Sequence, residues 1–353
     1  MCLVNTIDML KHAERYSYAV GAFNVINLDF LNGILEAAEE MNSPVILNIA
    51  EVHFPFVNME QITPAIQHMA ESASVPVVLN LDHGVSFEAV VRALRCGFSA
   101  IMYDASKKPI EQNIEETRLV VKIAHSVGVS VEAELGQVVG AEGGKKAARA
   151  RRELFTDPAQ AERFVAETGI DALAVSVGNV HGFYEGEPEL DFDLIEELKE
   201  RCGVPLVLHG GSGISDDDFR RAVQLGMRKI NFFTEMSKIA TDRVRELIAG
   251  SEDYFIQDLL KEAKATIKEV VKERIQVFGS AKACALPENI CPTGGSHTGS
   301  TTCATCAAAA SSGKGIVVAE SKPKTVKTTA VDESEIVDIV TKAISTMLKQ
   351  SSG

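Results

Sequence analysis

The segment from Pro76 to Gly84 reads PVVLNLDHG, an apolar, β-branched run that ends in an acid, a histidine and a glycine. Such a run is typical of a parallel strand that is buried on both faces. Two further segments have the same form: Pro205–Gly213 reads PLVLHGGSG, and Ala172–Gly182 reads ALAVSVGNVHG. In parallel barrels the carboxyl ends of the strands carry the chemistry. The three segments therefore predict strand ends that bring one histidine each to a common site.

Short β-rich runs alternate with amphipathic helical patterns throughout residues 1–283. The predicted strands are Ala19–Val25, Pro44–Ala50, Val77–Leu81, Ala100–Tyr103, Val129–Leu135, Ala172–Val177, Leu206–Leu208 and Lys229–Phe233. The predicted helices include Leu28–Met41, Phe87–Cys96, Ile110–Val127, Pro158–Thr168, Asp193–Arg201 and Asp216–Leu225. Strict alternation of this kind indicates an α/β protein with a parallel sheet, most economically a closed (β/α)8 TIM barrel. A doubly wound open sheet is the alternative, but no GxGxxG motif follows the first strand.

Composition limits the partners and the compartment. A formal net charge of −14 argues against a nucleic-acid partner, because binding to phosphates needs clusters of Lys and Arg. No run of about 18 apolar residues is present, so we expect no membrane partner. The seven cysteines occur without a secretory signal, which predicts free thiols and a cytoplasmic protein.

Polar residues concentrate at the predicted strand ends. They are Asn24, Asp82, His83, Asp104, Glu132, Glu134, His181, His209 and Asn231. Any one of them alone reads as a hydrogen-bonded core residue. Together they are hard to explain by packing, because a polar group in an apolar strand is costly unless it is paired. Three histidines with one open position are a catalytic zinc pattern, so the histidines are candidate metal ligands.

Two segments have the composition of phosphate-binding loops. Gly210–Gly213 follows the seventh strand, and Asn231–Thr234 ends the eighth. Barrels often bind phosphate with these two loops, where backbone N–H groups and a helix N-terminus face the anion. The alternative, a tight turn, would explain a single glycine in Gly210–Gly213 better than it explains three glycines among these four residues. Gly182, beside His181, is placed to add another amide.

A long loop follows the fifth strand, from Gln137 to Phe155. Its glycines flank Glu142, as in a lid that closes on a substrate. The basic run Lys145–Arg152 at its end indicates either a solvated surface segment or a positively charged segment that attracts an anionic substrate.

Taken together, residues 1–283 resemble the class II, metal-dependent ketose-bisphosphate aldolases, which cleave fructose and tagatose bisphosphates. The resemblance rests on seven motifs in order: GAFNV, NLDHG, MYDAS, VEAELG, TGIDALAVSVGNVHG, LHGGSGI and NFFTE. It implies a TIM-barrel enzyme that cleaves a phosphorylated ketose to dihydroxyacetone phosphate and an aldehyde.

The resemblance also implies roles for individual residues. Zn2+ would bind His83, His181 and His209, with Asp104 and Glu134 as alternative or second-site ligands. Asp82 would exchange the proton of the C4 hydroxyl, and Glu142 would be the base for dihydroxyacetone phosphate. The implied substrate-binding residues are Asn24, Gly182, Gly210, Gly211, Ser212, Asn231 and Thr234. A monovalent cation, Na+ or K+, and a homo-oligomer, a dimer or tetramer, are also expected.

A Schiff-base mechanism is not expected from the sequence. Lys229 opens the predicted eighth strand, which places it at the barrel face opposite the chemistry.

Two departures from the family pattern concern the distal phosphate of a bisphosphate substrate. The segment Ser251–Leu260, SEDYFIQDLL, lacks the DPR-type arginine that a partner subunit supplies, and Ala50 stands where a serine is expected. A phosphate without a bidentate guanidinium binds more weakly. Cleavage of a ketose 1-phosphate, without recognition of a distal phosphate, is therefore an alternative.

The composition changes after residue 283. Residues 284–331 are rich in Ser, Thr, Ala and Gly and predict a flexible linker. The linker cysteines, Cys284, Cys291, Cys303 and Cys306, could bind a metal ion, but their spacing is irregular for a metal site. Residues 332–353 predict a short amphipathic helix with a capping box at Asp332 and Glu335. This helix either docks on the barrel or, like the encapsulation peptides that it resembles, binds shell proteins of a bacterial microcompartment. A catalytically inactive barrel that serves as a scaffold is a further alternative.

Overall fold

Eight apolar segments form the main strands of the computed structural model, which describes residues 3–140, 151–184, 186–251, 253–287 and 290. The strands are β1 (Val20–Asn24), β2 (Val45–Ala50), β3 (Val77–Gly84), β4 (Ala100–Tyr103), β5 (Ser130–Leu135), β6 (Ala172–Val175), β7 (Leu206–Leu208) and β8 (Met227–Asn231). Every one of their residues except His83 is buried, as expected for a sheet that is covered on both faces.

The sheet closes on itself. The strands pair in parallel in the order β1–β8–β7–β6–β5–β4–β3–β2, and β2 returns to β1. Ala22 illustrates the closure, because it faces Ile46 on one side and Asn231 on the other. The predicted (β/α)8 TIM barrel is confirmed, and the open-sheet alternative is wrong.

Helices connect the strands and surround the barrel. They are α1 (Thr6–Tyr16), α2 (Leu28–Glu40), α3 (Met59–Ser72), α4 (Phe87–Arg95), α5 (Ile110–Ser126), α6 (Pro158–Thr168), α7 (Phe192–Cys202), α8 (Asp216–Leu225), α9 (Thr234–Gly250) and α10 (Ile256–Val277). Side-chain caps fix several starts; Asn27, Ser86 and Asp191, for example, each accept a hydrogen bond from a backbone N–H of the first turn. None of the described helices combines the length and the apolarity that a membrane span requires.

The barrel interior changes from apolar to polar along its axis. At the amino-terminal end, Val20, Ile46 and Val78 pack with Met9 and Leu10 of α1 in one apolar cluster. A second, larger apolar cluster lies between the strands and the outer helices. The polar residues lie at the carboxyl ends of the strands. The hydrophobic stabilisation of the fold therefore comes from the two apolar clusters.

Several sequence-based expectations lie outside the described residues. These are Glu142 and the central part of the predicted lid, Lys145 to Ala150 of the basic run, the amphipathic helix at 332–353, and all of the linker except residues 284–287 and 290.

Packing on the barrel continues beyond Ala283. The backbone N–H of Cys284 donates to the carbonyl oxygen of Asn42 at 3.2 Å. Ile290 is 5 % exposed and belongs to the apolar cluster at the amino-terminal end of the barrel, against which Leu286 also packs. These residues contribute buried apolar area to the same core as the strands.

This packing predicts where the chain can be shortened. A chain ending at Ile290 keeps these contacts and serves as the reference for the free energy of unfolding. A chain ending at Ala283 should lose about 1.5–3 kcal/mol, because an isoleucine side chain leaves the core. Urea unfolding of the two truncated chains measures the difference, and equal stabilities would contradict the packing of residues 284–290.

Candidate metal centre and active site

An irregularity in β3 brings two consecutive side chains to one site. Neighbouring residues of a regular strand point to opposite faces. Here the pairing of β3 with β4 shifts register between Leu81 and Gly84, and His83 takes a left-handed backbone conformation with φ of 43°. As a result, Asp82 and His83 both contact groups at the carboxyl-terminal rim of the barrel.

The three predicted histidines meet at this rim. One ligand nitrogen from each lies within 4.8 Å of the others. The ring centre of His83 is 4.7 Å from that of His181 and 4.5 Å from that of His209. His83 belongs to β3, and His209 follows β7 directly. His181 arrives on a two-residue strand, Val180–His181, that pairs with Val139–Gly140.

Gly210 permits this convergence. A Cβ atom at Gly210 would lie 2.1 Å from the carbonyl oxygen of Val180, a distance that no side chain tolerates. The absence of that atom lets the segment carrying His181 lie directly against the residue after His209. Gly210 also has a φ of 65°, in the left-handed region that favours glycine.

Hydrogen bonds orient two of the imidazoles. The Nδ1–H of His181 donates to the carbonyl oxygen of Val138 at 3.3 Å, and its Nε2 is buried without a hydrogen-bond partner among the described residues. The Nε2–H of His209 donates to Glu132 at 2.9 Å, and its Nδ1 accepts a hydrogen bond from the side-chain amide of Asn231 at 3.2 Å, a contact that a metal ion on Nδ1 would replace. A carboxylate or carbonyl behind a histidine in this way is the usual support of a metal ligand.

The electrostatic environment keeps these two rings neutral. Burial, and after it the positive charge that His83 carries when protonated, hold the pKa of His181 and of His209 well below the ordinary range. Metal ligation requires a neutral imidazole, so both rings have the protonation state that a metal ion needs.

A second group of possible ligands shares His83. Asp104 and Glu134 offer oxygens that lie within the same 4.8 Å limit of a His83 nitrogen. The Nδ1–H of His83 donates to Asp104 at 3.0 Å. Burial, and after it the charge of Asp104, raise the pKa of Glu134 to about 8. A bound cation would favour the charged form of Glu134, so the two acids also have the character of a cation site.

Asp82 lies beside the histidines, held by two amides. The side-chain nitrogen of Asn231 donates to one of its oxygens at 2.9 Å, and that of Asn24 donates to the other at 3.2 Å. Burial alone would raise the pKa of Asp82, but positive charge on His83 when it is protonated, and on Lys229, outweighs burial and lowers the pKa below its usual range. The carboxylate is therefore ionised, fixed in orientation, and able to accept a proton.

Lys229 does not lie where the sequence analysis placed it. β8 begins two residues earlier than predicted, so Lys229 is in the middle of the strand, and its Nζ lies 2.7 Å from Glu132 inside the barrel. The strand period of two could have shown this, because Asn231 and Lys229 must face the same side. The sequence analysis also gave Glu132 no role, and the structure places it between Lys229 and His209.

The two predicted phosphate-binding loops lie next to each other at the start of α9. The hydroxyl oxygen of Ser212 accepts a hydrogen bond from the backbone N–H of Glu235 at 3.0 Å. The backbone N–H of Gly213 donates to the carboxylate of Glu235 at 2.9 Å, so this amide already has an anionic partner. Thr234 opens α9, and the carbonyl oxygen of Asn231 lies against Gly211.

Comparisons with known proteins agree with this geometry. The family model for class-II fructose-bisphosphate aldolase matches residues 4–283. A probable fructose-bisphosphate aldolase of Bacillus subtilis (strain 168) is 42% identical over 285 residues, which are 80% of this chain and 99% of the relative. A fructose-bisphosphate aldolase of Staphylococcus aureus (strain Mu50) is 41% identical over 286 residues, with the same coverage.

Solved structures give the same picture. The crystal structure of the YdjI aldolase from Escherichia coli K12 has 38% sequence identity and a TM-score of 0.71, covering 79% of this chain and 98% of that one. A putative fructose-1,6-biphosphate aldolase from Coccidioides immitis has 29% identity and a TM-score of 0.72, covering 80% and 99%.

The buried Lys229–Glu132 pair yields a prediction about stability. Lys229→Met should lower the free energy of unfolding by about 3–5 kcal/mol, because it leaves Glu132 buried without its counter-charge. The double variant Lys229→Met/Glu132→Gln removes both charges, keeps an acceptor for His209, and should recover most of the loss. Urea unfolding measures both variants, and a single-variant loss below about 1 kcal/mol would show that the pair is not a supporting contact.

Proposed function

Because the chain belongs to the class-II fructose-bisphosphate aldolase family and is an aldolase, we propose that it catalyses a zinc-dependent, reversible aldol cleavage. The substrate is a ketose 1-phosphate or a ketose bisphosphate of the fructose or tagatose 1,6-bisphosphate type. The products are dihydroxyacetone phosphate and an aldehyde. The observation that carries the proposal is the position of the buried Asp82 carboxylate beside three converging histidines, with the amide of Asn231 in contact with both Asp82 and His209.

The donor set fits zinc. His83, His181 and His209 would supply three nitrogens and leave a fourth position open, which is the usual arrangement of a catalytic zinc site. Asp104 and Glu134 would serve as alternative or second-site ligands together with His83. When bound, the ion supplies Lewis acidity for the negative charge that develops on the C2 oxygen.

Asp82 takes the proton of the C4 hydroxyl in this proposal. As that O–H bond breaks, a carbonyl forms at C4, the C3–C4 bond breaks, and its electron pair moves to C3 and C2. A proton delivered to C3 then completes dihydroxyacetone phosphate, and Glu142, outside the described residues, is proposed to deliver it. The side-chain amides of Asn24 and Asn231 support the assignment of Asp82 as the proton acceptor, because they fix the orientation of both carboxylate oxygens.

The phosphate on C1 is proposed to bind at the start of α9. The residues assigned to the substrate are Asn24, Gly182, Gly210, Gly211, Ser212, Asn231 and Thr234. The adjacency of Ser212 to the first turn of α9 supports this assignment, because backbone N–H groups at a helix N-terminus favour an anion. A monovalent cation near the phosphate belongs to the same proposal.

The proposed domains are the barrel at 1–283, the linker at 284–331 and the helix at 332–353, with Cys284, Leu286 and Ile290 at the start of the linker packed on the barrel. We assign the helix to location or assembly, through shell proteins of a microcompartment or through docking on the barrel. A homo-oligomer is also proposed, since Ile248, Phe255 and Ile256 expose apolar surface around the α9–α10 connection.

Asp82→Ala tests the division of labour between proton transfer and metal binding. We expect kcat to fall by about 10²–10⁴ while zinc stays bound. The matched control is Asp217→Ala, an exposed carboxylate on α8 that should leave kcat and zinc content unchanged. Loss of zinc from Asp82→Ala would make Asp82 a ligand or a support of the ligands. Unchanged cleavage would remove it from the reaction and favour another acid.

The distal end of the site yields a second prediction. Fructose 1,6-bisphosphate should exceed fructose 1-phosphate in kcat/KM by less than about tenfold, because Ala50 offers no hydroxyl and residues 251–260 contain no arginine. Steady-state kinetics with the two sugars measure the ratio. A hundredfold preference for the bisphosphate would contradict the prediction and indicate a cation elsewhere, such as the basic run Lys145–Arg152.

A reporter fused to residues 331–353 distinguishes the two proposals for the terminal helix. If the helix binds a shell, the reporter should co-purify with microcompartment shell proteins, and Ile344→Asp should abolish this by placing a charge in the apolar contact. Docking on the barrel predicts no capture of the reporter and a truncated enzyme that is less stable or less active.

A further inference from the structure

His53 occupies an unusual position at the rim of the barrel. It lies in a short turn of 3-10 helix, Glu51–His53, directly after β2, and its ring centre is 4.7 Å from that of Phe233, which follows β8. In the closed barrel, β1 lies between β2 and β8. A ring contact between residues that follow β2 and β8 must therefore cross over the carboxyl end of β1, where Asn24 holds Asp82.

The His53 ring has an unused hydrogen-bonding atom. The residue is 6 % exposed, and its Nδ1 is buried with no hydrogen-bond partner among the described residues. Buried side-chain nitrogens are nearly always bonded, so an exception requires an explanation. Phe233 fixes the ring by packing but offers it no polar group.

The neighbours of His53 define which part of a substrate it can meet. Ala50 is paired in register with Asp82 and carries only a methyl group, so it offers no polar atom on the β2 side of Asp82. The carboxylate of Glu51 is occupied by the backbone N–H groups of Val85 and Ser86. Of the residues that follow Ala50 in this turn, His53 is the one with a buried polar atom left to offer.

The ring is suited to a hydroxyl group. Burial lowers the pKa of His53, against a smaller opposite effect of the Asp82 charge. The imidazole is then neutral at neutral pH, and a neutral imidazole nitrogen donates or accepts one hydrogen bond. It pairs well with an uncharged hydroxyl and adds no positive charge for a phosphate.

We propose that His53 is a specificity-determining residue that binds a hydroxyl group on the aldehyde-derived half of the substrate, beyond C4. This inference rests on the proposed function, because Asp82 marks the C4 hydroxyl there. Substrate atoms that pass Asp82 on the β2 side meet His53, whereas the C1 phosphate lies at the loops after β7 and β8.

The part of the reaction that involves only dihydroxyacetone phosphate can be measured alone, and it tests the role of His53 separately from the proposed function. Exchange of a C3 proton of dihydroxyacetone phosphate with solvent needs the metal and the phosphate site but no aldehyde. His53→Phe keeps a ring against Phe233 and removes both nitrogens. It should retain at least about half of the exchange rate and lose roughly tenfold in kcat/KM for fructose 1-phosphate cleavage. The control is His68→Phe, on the exposed face of α3, which should change neither rate.

Two aldehydes that differ by one hydroxyl test the contact itself. In the condensation direction, with dihydroxyacetone phosphate, the unmodified chain should prefer 2-hydroxypropanal over propanal by roughly tenfold. His53→Phe should reduce this preference to within about twofold, since its ring offers no hydrogen bond. His53→Asn, which keeps an amide close to the position of Nδ1, should retain most of it.

The possible results distinguish a failure of the inference about His53 from a failure of the proposed function. A parallel loss of exchange and cleavage in His53→Phe would place the residue in the phosphate half or in the support of the metal and overturn the inference. So would an unmodified chain that does not prefer 2-hydroxypropanal, including one that exchanges the proton but condenses neither aldehyde. Failure of the unmodified chain to exchange the proton at all would instead contradict the proposed function.

Discussion

Negative charge buried inside the barrel is the constraint on which the arrangement at its rim depends. Asp82, Glu132 and Glu134 are each 4 % exposed or less, and Asp104 lies beside them. Among the described residues, Lys229 is the lysine or arginine that pairs with any of these four acids. Ionised carboxylates in such an interior are costly without counter-charge. The ammonium of Lys229 balances Glu132, and His83, when protonated, balances Asp104, to which it donates a hydrogen bond. The pKa of Glu134 is raised to about 8, so this residue is mostly protonated at neutral pH.

The supporting groups form one connected chain of hydrogen bonds. Lys229 binds Glu132, Glu132 accepts from His209, and the amide of Asn231 contacts both His209 and Asp82, with every link between 2.7 and 3.2 Å. The proposed metal ligand His209 and the proposed proton acceptor Asp82 are therefore positioned by the same side chains. In the proposed reaction, this coupling would join charge stabilisation at C2 to proton transfer at C4, two atoms away.

The sequence predicted the barrel because alternation of strands and helices is a local pattern, and eight parallel strands have few other ways to bury both faces. It also predicted that the histidines meet, since carboxyl ends of parallel strands share one rim. What it could not predict depends on contacts between distant segments. The register shift that turns both Asp82 and His83 inward needs β4, and the approach of Val180 to Gly210 needs two loops. The ring contact of His53 with Phe233 joins residues 180 positions apart. Lys229 was misplaced for a simpler reason: a strand start that was wrong by two residues moved it from the interior to the opposite end of the barrel.

In the proposed mechanism, cleavage depends on a divalent metal ion held by His83, His181 and His209. The most direct measurement is the metal content of the purified chain by inductively coupled plasma mass spectrometry, paired with the rate of ketose phosphate cleavage before and after EDTA. We expect zinc in the unmodified chain, loss of cleavage with EDTA, recovery on adding zinc, and no retained zinc in His209→Ala, where two histidines remain. Full cleavage by a chain that EDTA has stripped of metal would contradict a metal-dependent mechanism.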